Sequence, residues 1–203
     1  MPTYRAILFD LGRVLIDFDF AVGYLALERH CPYSQAEIRR RIAATDLAVR
    51  FETGLIEPRD FCAQLSALIE LDADYDRFCA MWNSIFSSTL LPEAMIEGLA
   101  RRYRLVMVSN TNQIHFEMVE KKYPVLRHFH ARALSYEVKA MKPDAHIFEH
   151  ALRLAGCSAG ECFYTDDIPA YIESARRLGI DAVAFSSASQ IAAEMRNRGI
   201  VWD

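Results

Sequence analysis

Short apolar runs that end in polar residues are the most regular feature of this chain. Such runs occupy residues 5–9, 105–108, 162–165 and 182–185, and residues 131–134 have weaker strand character. Runs of this length that are apolar on both faces are typical of buried strands in a parallel sheet. We therefore interpret these segments as the strands of a central sheet.

Helical patterns separate the later strands from one another. They cover residues 92–102, 146–154 and 172–178, and Gly179 is a typical residue to follow the last helical turn. Strands that alternate with helices predict a doubly wound, parallel α/β sheet with helices on both faces.

Residues 18–88 interrupt this alternation with helical stretches that contain no clear parallel strand. Ser34 and Glu37 have the spacing of a capping box, and Pro58 is suited to the first turn of another helix. The helix after Ser34 is predicted to have an apolar stripe along one face, formed by Ile38, Ile42 and Leu47. We expect a core formed by residues 1–17 and 89–203. A helical cap, formed by residues 18–88, would then lie over the carboxyl end of the sheet, where α/β proteins bind ligands.

Charge, hydropathy and cysteine spacing argue against a nucleic-acid-binding, membrane-spanning, zinc-binding or disulfide-bonded protein. The formal net charge of −4 gives no general attraction for nucleic acid, and no apolar run is long enough to cross a membrane. The absence of a signal peptide pattern indicates a cytoplasmic protein. The five cysteines lack the spacing of a zinc site or a disulfide framework, and we interpret them as free thiols: Cys31, Cys62, Cys79, Cys157 and Cys162.

The candidate chemistry lies where the apolar runs end. The polar residues at these positions are Asp10, Ser109, Asn110, Asp166 and Asp167, and Lys142 precedes a predicted helix. Carboxylates brought together at one sheet edge repel each other, so a cation or a lysine is needed among them. Hard oxygen ligands favour Mg²⁺ over zinc. A carboxylate, a lysine, a hydroxyl and a divalent cation together indicate a phosphate site.

Four short motifs in this order resemble those of the haloacid dehalogenase superfamily. They are FDLGRVL at residues 9–15, VSN at 108–110, KP at 142–143 and YTDD at 164–167. The helical insertion resembles the C1-type cap of subfamily IA. The resemblance implies a Rossmann-like core and a cytoplasmic, Mg²⁺-dependent phosphatase that acts on a small phosphorylated metabolite. Such an enzyme would be a monomer or a homodimer, with neither nucleic acid nor membrane as a partner.

The resemblance also implies a role for each matching residue. Asp10 would be the nucleophile and a metal ligand, and Gly12 would offer its backbone carbonyl to the metal. Asp167 would be a direct metal ligand, whereas Asp166 would bind the metal directly or through water.

The remaining motif residues would act on the phosphoryl group. Ser109 and Asn110 would bind the phosphoryl oxygens. Lys142 would neutralise both the nucleophile and the group that is transferred, which makes it catalytic as well as substrate-binding.

Two positions depart from the family pattern. Most family phosphatases carry an aspartate two residues after the nucleophile as general acid and base, and this chain has Gly12 there. Loss of such catalysis typically costs about 10²–10⁴ in rate. A branch similar to bacterial glucose-1-phosphate phosphatases shares this glycine, the stretch at 109–112 and the stretch at 51–54, so sugar phosphates are candidate substrates. Tyr171 replaces an asparagine that usually braces the metal side of the site.

Two other functions remain open from the sequence. A 2-haloacid dehalogenase uses the same nucleophile without a metal, although the acidic pair Asp166 and Asp167 would oppose an anionic haloacid. A catalytically weak binding protein of the same fold would be consistent with Gly12. Candidates for contacting the leaving group, by location alone, are Phe18, Phe20, Tyr24, Arg50, Phe51 and Glu52. For each of them, core packing or solvent exposure is the ordinary expectation.

Overall fold

A parallel sheet forms the centre of the computed structural model, which describes residues 3–203. The strands of the described chain are β1 (Ala6–Phe9), β2 (Ile16–Phe18), β3 (Phe86–Thr89), β4 (Arg104–Ser109), β5 (Ala131–Leu134), β6 (Cys162–Asp166) and β7 (Asp181–Ala184). Five of them pair in the order β5-β4-β1-β6-β7, and every pair is parallel. β1 is therefore the central strand, with β4 and β6 on either side of it.

The helices fall into two groups. Those of the insertion are α1 (Phe20–Glu28), α2 (Gln35–Ala43), α3 (Leu47–Glu52), α4 (Pro58–Ile69) and α5 (Tyr75–Trp82). Those that follow are α6 (Glu93–Ala100), α7 (Gln113–Lys122), α8 (Ser135–Val138), α9 (Ala145–Ala155), α10 (Pro169–Arg177) and α11 (Ala188–Asn197). Short 3₁₀ segments lie at Asn83–Ile85, Pro124–His128 and Ala159–Glu161.

Both faces of the sheet are covered, which explains why its strands are apolar without alternation. Ile7 and Phe9 of β1 pack on one face with α6, α7 and α11. Ala6 and Leu8 of the same strand pack on the opposite face with α9 and α10. The side-chain period of two sends alternate residues of one strand into two separate cores.

The helices α1–α5 bury an apolar cluster of their own. Phe61 of α4 lies at its centre, stacked on Phe51 at 4.1 Å between ring centroids and packed edge-on to Phe78 at 6.0 Å. Pro58 begins α4 as the sequence predicts. Ser34 accepts a hydrogen bond from the Glu37 N–H at the start of α2.

Two local predictions in the insertion are wrong. The Glu37 side chain binds Arg40 and Arg41 instead of returning to the N-cap backbone, so the capping box is only half formed. The stripe through Ile42 to Leu47 is also broken, because α2 ends at Ala43 and Leu47 begins α3.

A two-stranded antiparallel ribbon, formed by β2 and β3, connects the insertion to the rest of the chain. The sequence did not predict it. The ribbon crosses both of the expected boundaries, at residues 18 and 88, so the division at these positions stays a prediction. Among residues 3–203, no helix combines the length and apolar character that a membrane span requires.

Candidate active site

Asp10 follows β1 directly, at the carboxyl end of the sheet. Its N–H donates to the carbonyl of Thr165 at 3.1 Å, which extends the β1–β6 pairing by one residue. The side chain is almost fully buried. The end of the central strand is the position that the loops after both neighbouring strands can reach.

A buried lysine joins two carboxylates at this point. Lys142 Nζ donates to Asp10 Oδ1 and to Asp166 Oδ2, each at 2.6 Å, and all three side chains are at least nine-tenths buried. Burial raises the pKa of Asp10 to about 7, with Lys142 opposing that rise and Asp166 adding to it. Burial alone would lower the pKa of Lys142, but the two carboxylates outweigh it and raise that pKa above its ordinary value. Removing any one partner would leave a buried charge without compensation.

The end of β6 brings further acidic groups to the same place. Asp166 Oδ2 also accepts a hydrogen bond from the Tyr164 hydroxyl, and its Oδ1 accepts from the Ile168 N–H at 2.9 Å. Asp167 is partly buried, and its pKa is raised by burial and by Asp166. Asp10, Asp166 and Asp167 each offer an oxygen, and these oxygens lie within 4.8 Å of one another.

Asn110 fixes the backbone of Lys142. Its Oδ1 accepts from the Lys142 N–H at 2.7 Å, and its Nδ2 donates to the Lys142 carbonyl at 2.9 Å. Nδ2 also donates to the Tyr171 hydroxyl at 3.2 Å, while Lys142 Nζ lies 5.0 Å from the centroid of the Tyr171 ring. Tyr171 thus contacts both residues. The phosphoryl-binding role of Asn110 stays a prediction, and its amide is already engaged with Lys142.

Ser109 and Gly12 contribute to one small void at the carboxyl end of the sheet. Both line it, together with Phe18, and its volume is about 50 Å³. A Cβ placed on Gly12 would come within 2.6 Å of Phe18 Cε1, so the ring fills the space that a side chain at position 12 would need. The Ser109 hydroxyl makes only a weak contact with the Asn110 carbonyl, at 3.5 Å. It therefore remains available to a ligand.

Two residues that support the loop after β4 had no clear role in the sequence. Ser135 Oγ accepts from the Thr111 N–H and donates to the Thr111 carbonyl, both at 2.9 Å. His115 is buried, and its Nδ1 lies 3.0 Å from Asn112 Nδ2. Its Nε2 lies 3.1 Å from the carbonyl of Trp82 in α5. In the sequence, His115 shares with Thr111 and Asn112 a place just after the predicted strand, which is consistent equally with facing the site and with an ordinary loop role.

Comparison with known proteins decides the family. The family model described as haloacid dehalogenase-like hydrolase matches residues 7–185. The chain belongs to the haloacid dehalogenase-like hydrolase family. The predicted family and the predicted doubly wound α/β fold are therefore confirmed.

Two named phosphatases and a solved structure are similar to this protein over almost the whole chain. A D-ribitol-5-phosphate phosphatase of Bacteroides thetaiotaomicron is 24% identical and is aligned over 87% of this chain and 89% of its own length. A sesquiterpene phosphatase of Aspergillus oryzae is 23% identical, with 96% of each chain covered. A haloacid dehalogenase family enzyme from Bacteroides thetaiotaomicron, crystallised with magnesium and inorganic phosphate, is 27% identical with a TM-score of 0.81. That match covers 91% of this chain and 95% of the other.

Proposed function

We propose that this hydrolase is a magnesium-dependent phosphatase that releases phosphate from a small phosphorylated metabolite through an aspartyl-phosphate on Asp10. The observation that carries the proposal is the contact of Lys142 Nζ with both Asp10 and Asp166 at 2.6 Å, beside a void lined by Ser109. A nucleophilic carboxylate held by a fixed cation, next in the chain to residues that line a void with a free hydroxyl, suits the transfer of an anionic phosphoryl group.

The donor atoms at this edge of the sheet fit a magnesium ion. Three carboxylate groups within 4.8 Å of one another supply hard oxygen ligands, and one lysine offsets only part of their charge. Asp10, Asp167 and the Gly12 carbonyl would hold the ion, with Asp166 bound to it directly or through water. A bound Mg²⁺ would neutralise charge on the phosphate and on the carboxylates.

The residues of the chain then have distinct tasks. An Asp10 oxygen attacks phosphorus while the bond to the leaving oxygen breaks, and water later displaces the phosphate from Asp10. Lys142 holds Asp10 in place and balances its charge throughout. Ser109 would donate its hydroxyl hydrogen to a phosphoryl oxygen, and Asn110 would position Lys142 through the two backbone contacts described above.

The class of substrate follows from the relatives and the site together. Both named relatives are phosphatases, one of a polyol phosphate and one of a sesquiterpene phosphate. The substrate we propose is accordingly a phosphate monoester of a small metabolite, with sugar and polyol phosphates as the first compounds to test. The acidic cluster disfavours a 2-haloacid, because without a metal one lysine leaves the three carboxylates with a net negative charge that would repel its carboxylate.

The test is phosphate release with and without metal. Wild-type protein is incubated with p-nitrophenyl phosphate, ribitol 5-phosphate, glucose 1-phosphate and farnesyl phosphate, each in Mg²⁺ and in EDTA. We expect release only with Mg²⁺, and a fall of about 10³-fold or more in Asp10→Asn because the nucleophile is lost. The matched control is Asp60→Asn, which changes an exposed carboxylate of α4.

Each contrary result identifies a different function. Phosphate release that persists in EDTA or in folded Asp10→Asn would refute the mechanism. Halide release from a 2-haloacid in EDTA, without phosphate release, would establish a dehalogenase. Binding of inorganic phosphate without any turnover would indicate a binding protein.

A further inference from the structure

The void lined by Gly12 and Ser109 receives no acidic side chain from position 12. Phe18 occupies the space there, packed edge-on against Phe20 at 5.0 Å and Phe86 at 6.1 Å between ring centroids. Any group that protonates the leaving oxygen must therefore reach this void from another element of the chain.

A second cavity continues from the void into the helices of the insertion. Its volume is about 130 Å³, and its lining is mainly apolar, with Leu27 and Trp82 among the contributing residues. Four residues line both spaces: Phe20, Glu52, Ile85 and His115. These shared residues lie where the two spaces meet, so a phosphoryl group in the void would direct its leaving group toward the second cavity.

Only two of the residues that line the void beside Ser109 have titratable side chains, His115 and Glu52. Both ring nitrogens of His115 are engaged, because the Trp82 carbonyl can only accept, which makes Nε2 a donor and leaves Nδ1 to accept from Asn112. Among residues 3–203, no hydrogen bond or ion pair involves the Glu52 carboxyl. Among the titratable residues that line this void, Glu52 is therefore the one whose side chain is not engaged in a hydrogen bond within the described residues.

We propose that Glu52, at the end of α3, is the general acid and base of the reaction, in place of the carboxylate missing at position 12. This inference rests on the proposed function. In the first step, Asp10 attacks phosphorus, the bond to the leaving oxygen breaks, and the Glu52 proton passes to that oxygen to give the alcohol. In the second step, water attacks phosphorus, Glu52 takes a proton from that water, and the bond from phosphorus to Asp10 breaks. Asp10 and protonated Glu52 are thereby restored.

The surroundings of Glu52 suit this task. Burial raises the pKa of Glu52 to about 7, so both protonation states are populated near neutral pH. The other titratable groups nearby are Tyr24 of α1 and His115 of α7, which share the cavity, and Lys139, which donates to the Gly54 carbonyl. None of them forms an ion pair with the Glu52 carboxyl in the part of the chain described here.

The test compares esters whose leaving groups differ in basicity. Glu52→Gln, wild type and the control Glu57→Gln, which alters an exposed carboxylate of the insertion, are assayed on p-nitrophenyl phosphate, phenyl phosphate and benzyl phosphate with Mg²⁺. We expect kcat/KM of Glu52→Gln to fall by about 10²-fold or more on benzyl phosphate, because its alkoxide needs a proton to leave. On p-nitrophenyl phosphate, kcat/KM should change less than about fivefold, because nitrophenolate leaves without a proton.

The second step gives an independent measurement. Without a base to activate water, Glu52→Gln should release p-nitrophenol in a burst equal to the enzyme concentration and retain phosphate on Asp10. In the wild type, kcat/KM for benzyl phosphate should fall as pH rises above about 7, where Glu52 loses its proton, and this alkaline fall should disappear in the variant.

The outcomes separate this inference from the proposed function. An equal fall of kcat/KM on all three esters, or no fall on any, would overturn the role of Glu52 while leaving the phosphatase intact. Failure of the wild type to release phosphate with Mg²⁺, or activity in Asp10→Asn, would instead refute the function on which the inference rests.

Discussion

At the scale of single residues, Glu52 is in a position that does not favour the stability of the fold. It is the last residue of α3, where the partial negative charge of a helix C-terminus opposes a carboxylate. Its pKa of about 7, against an ordinary value of 4.5, means that burial disfavours the charged form. Burial of a carboxyl that destabilises the fold is typical of a catalytic or binding residue, because packing alone would favour an apolar side chain there.

This position predicts that Glu52→Gln stabilises the protein at high pH. Below pH 4.5 both the folded and the unfolded chain carry the proton, so the variant should match the wild type. Between pH 4.5 and 7, Glu52 loses its proton in the unfolded wild type but keeps it in the folded wild type. The free energy of unfolding of the wild type therefore falls over this range because of Glu52, and that of the variant lacks this fall. Above pH 7 we expect a gain of about 1–3 kcal/mol for the variant in urea unfolding with EDTA. A variant no more stable than the wild type at pH 8 would show that the ionised carboxyl is well solvated in the fold.

Two contacts of the site join residues whose proximity the sequence does not reveal. The missing acid at Gly12 is visible in the sequence, but the ring of Phe18 in its place is not, because their contact depends on the path of the chain through β2. The engagement of Asn110 with the Lys142 backbone is equally hidden, since the two residues are 32 positions apart.

At the scale of elements, the site is assembled by the ends of three parallel strands, the loop before α9 that carries Lys142, and the first turn of α10. Tyr171 of α10 accepts a hydrogen bond from Asn110, and its ring lies against Lys142 Nζ. The side chain in place of the usual asparagine therefore contributes to positioning the lysine.

Tyr171→Phe should separate this contribution from general stability. The variant loses the hydrogen bond from Asn110 Nδ2, which should cost about 0.5–1.5 kcal/mol in free energy of unfolding. We also expect a lower kcat/KM for phosphate release, because Asn110 and Lys142 are held less firmly. The control is Tyr103→Phe, which removes a hydroxyl that accepts from the Val201 N–H, far from the sheet edge. An equal effect of both substitutions on kcat/KM would show that Tyr171 matters only for the fold.

Elements differ in how well the sequence predicts them, for a physical reason. The five strands of the parallel sheet are apolar because helices cover both of their faces, so their signal is strong. β3, by contrast, is Phe-Ser-Ser-Thr, and three of its four residues are exposed. A short polar strand of this kind has no apolar pattern to reveal it, and its pairing with β2 depends on residues about 70 positions away.

At the scale of the whole molecule, His115 connects the sheet-bearing part of the chain to the helical insertion. It belongs to α7, and its Nε2–H donates to the carbonyl of Trp82 at the end of α5. Its ring also stacks on that of Trp82, with centroids 5.4 Å apart. Burial lowers the pKa of His115 to about 4, from an ordinary value of 6.5. The neutral ring is therefore part of the contact between α7 and the end of α5, and it lines the same void as Glu52.

Replacing His115 should change the response of stability to acid in the direction opposite to Glu52→Gln. Between pH 6.5 and 4 the unfolded wild type takes up a proton that the folded protein refuses, so wild-type stability falls as pH falls, by up to about 3 kcal/mol. His115→Gln lacks this proton uptake. It should be less stable than the wild type at pH 7.5, where the contact with Trp82 is weakened, and should recover relative to the wild type as pH approaches 4. Urea unfolding of both proteins at pH 4, 5.5 and 7.5, in EDTA, measures the difference, from which groups common to both cancel. A difference that is constant with pH would mean that His115 has the same pKa in the folded and the unfolded protein, so that folding does not hold its ring neutral.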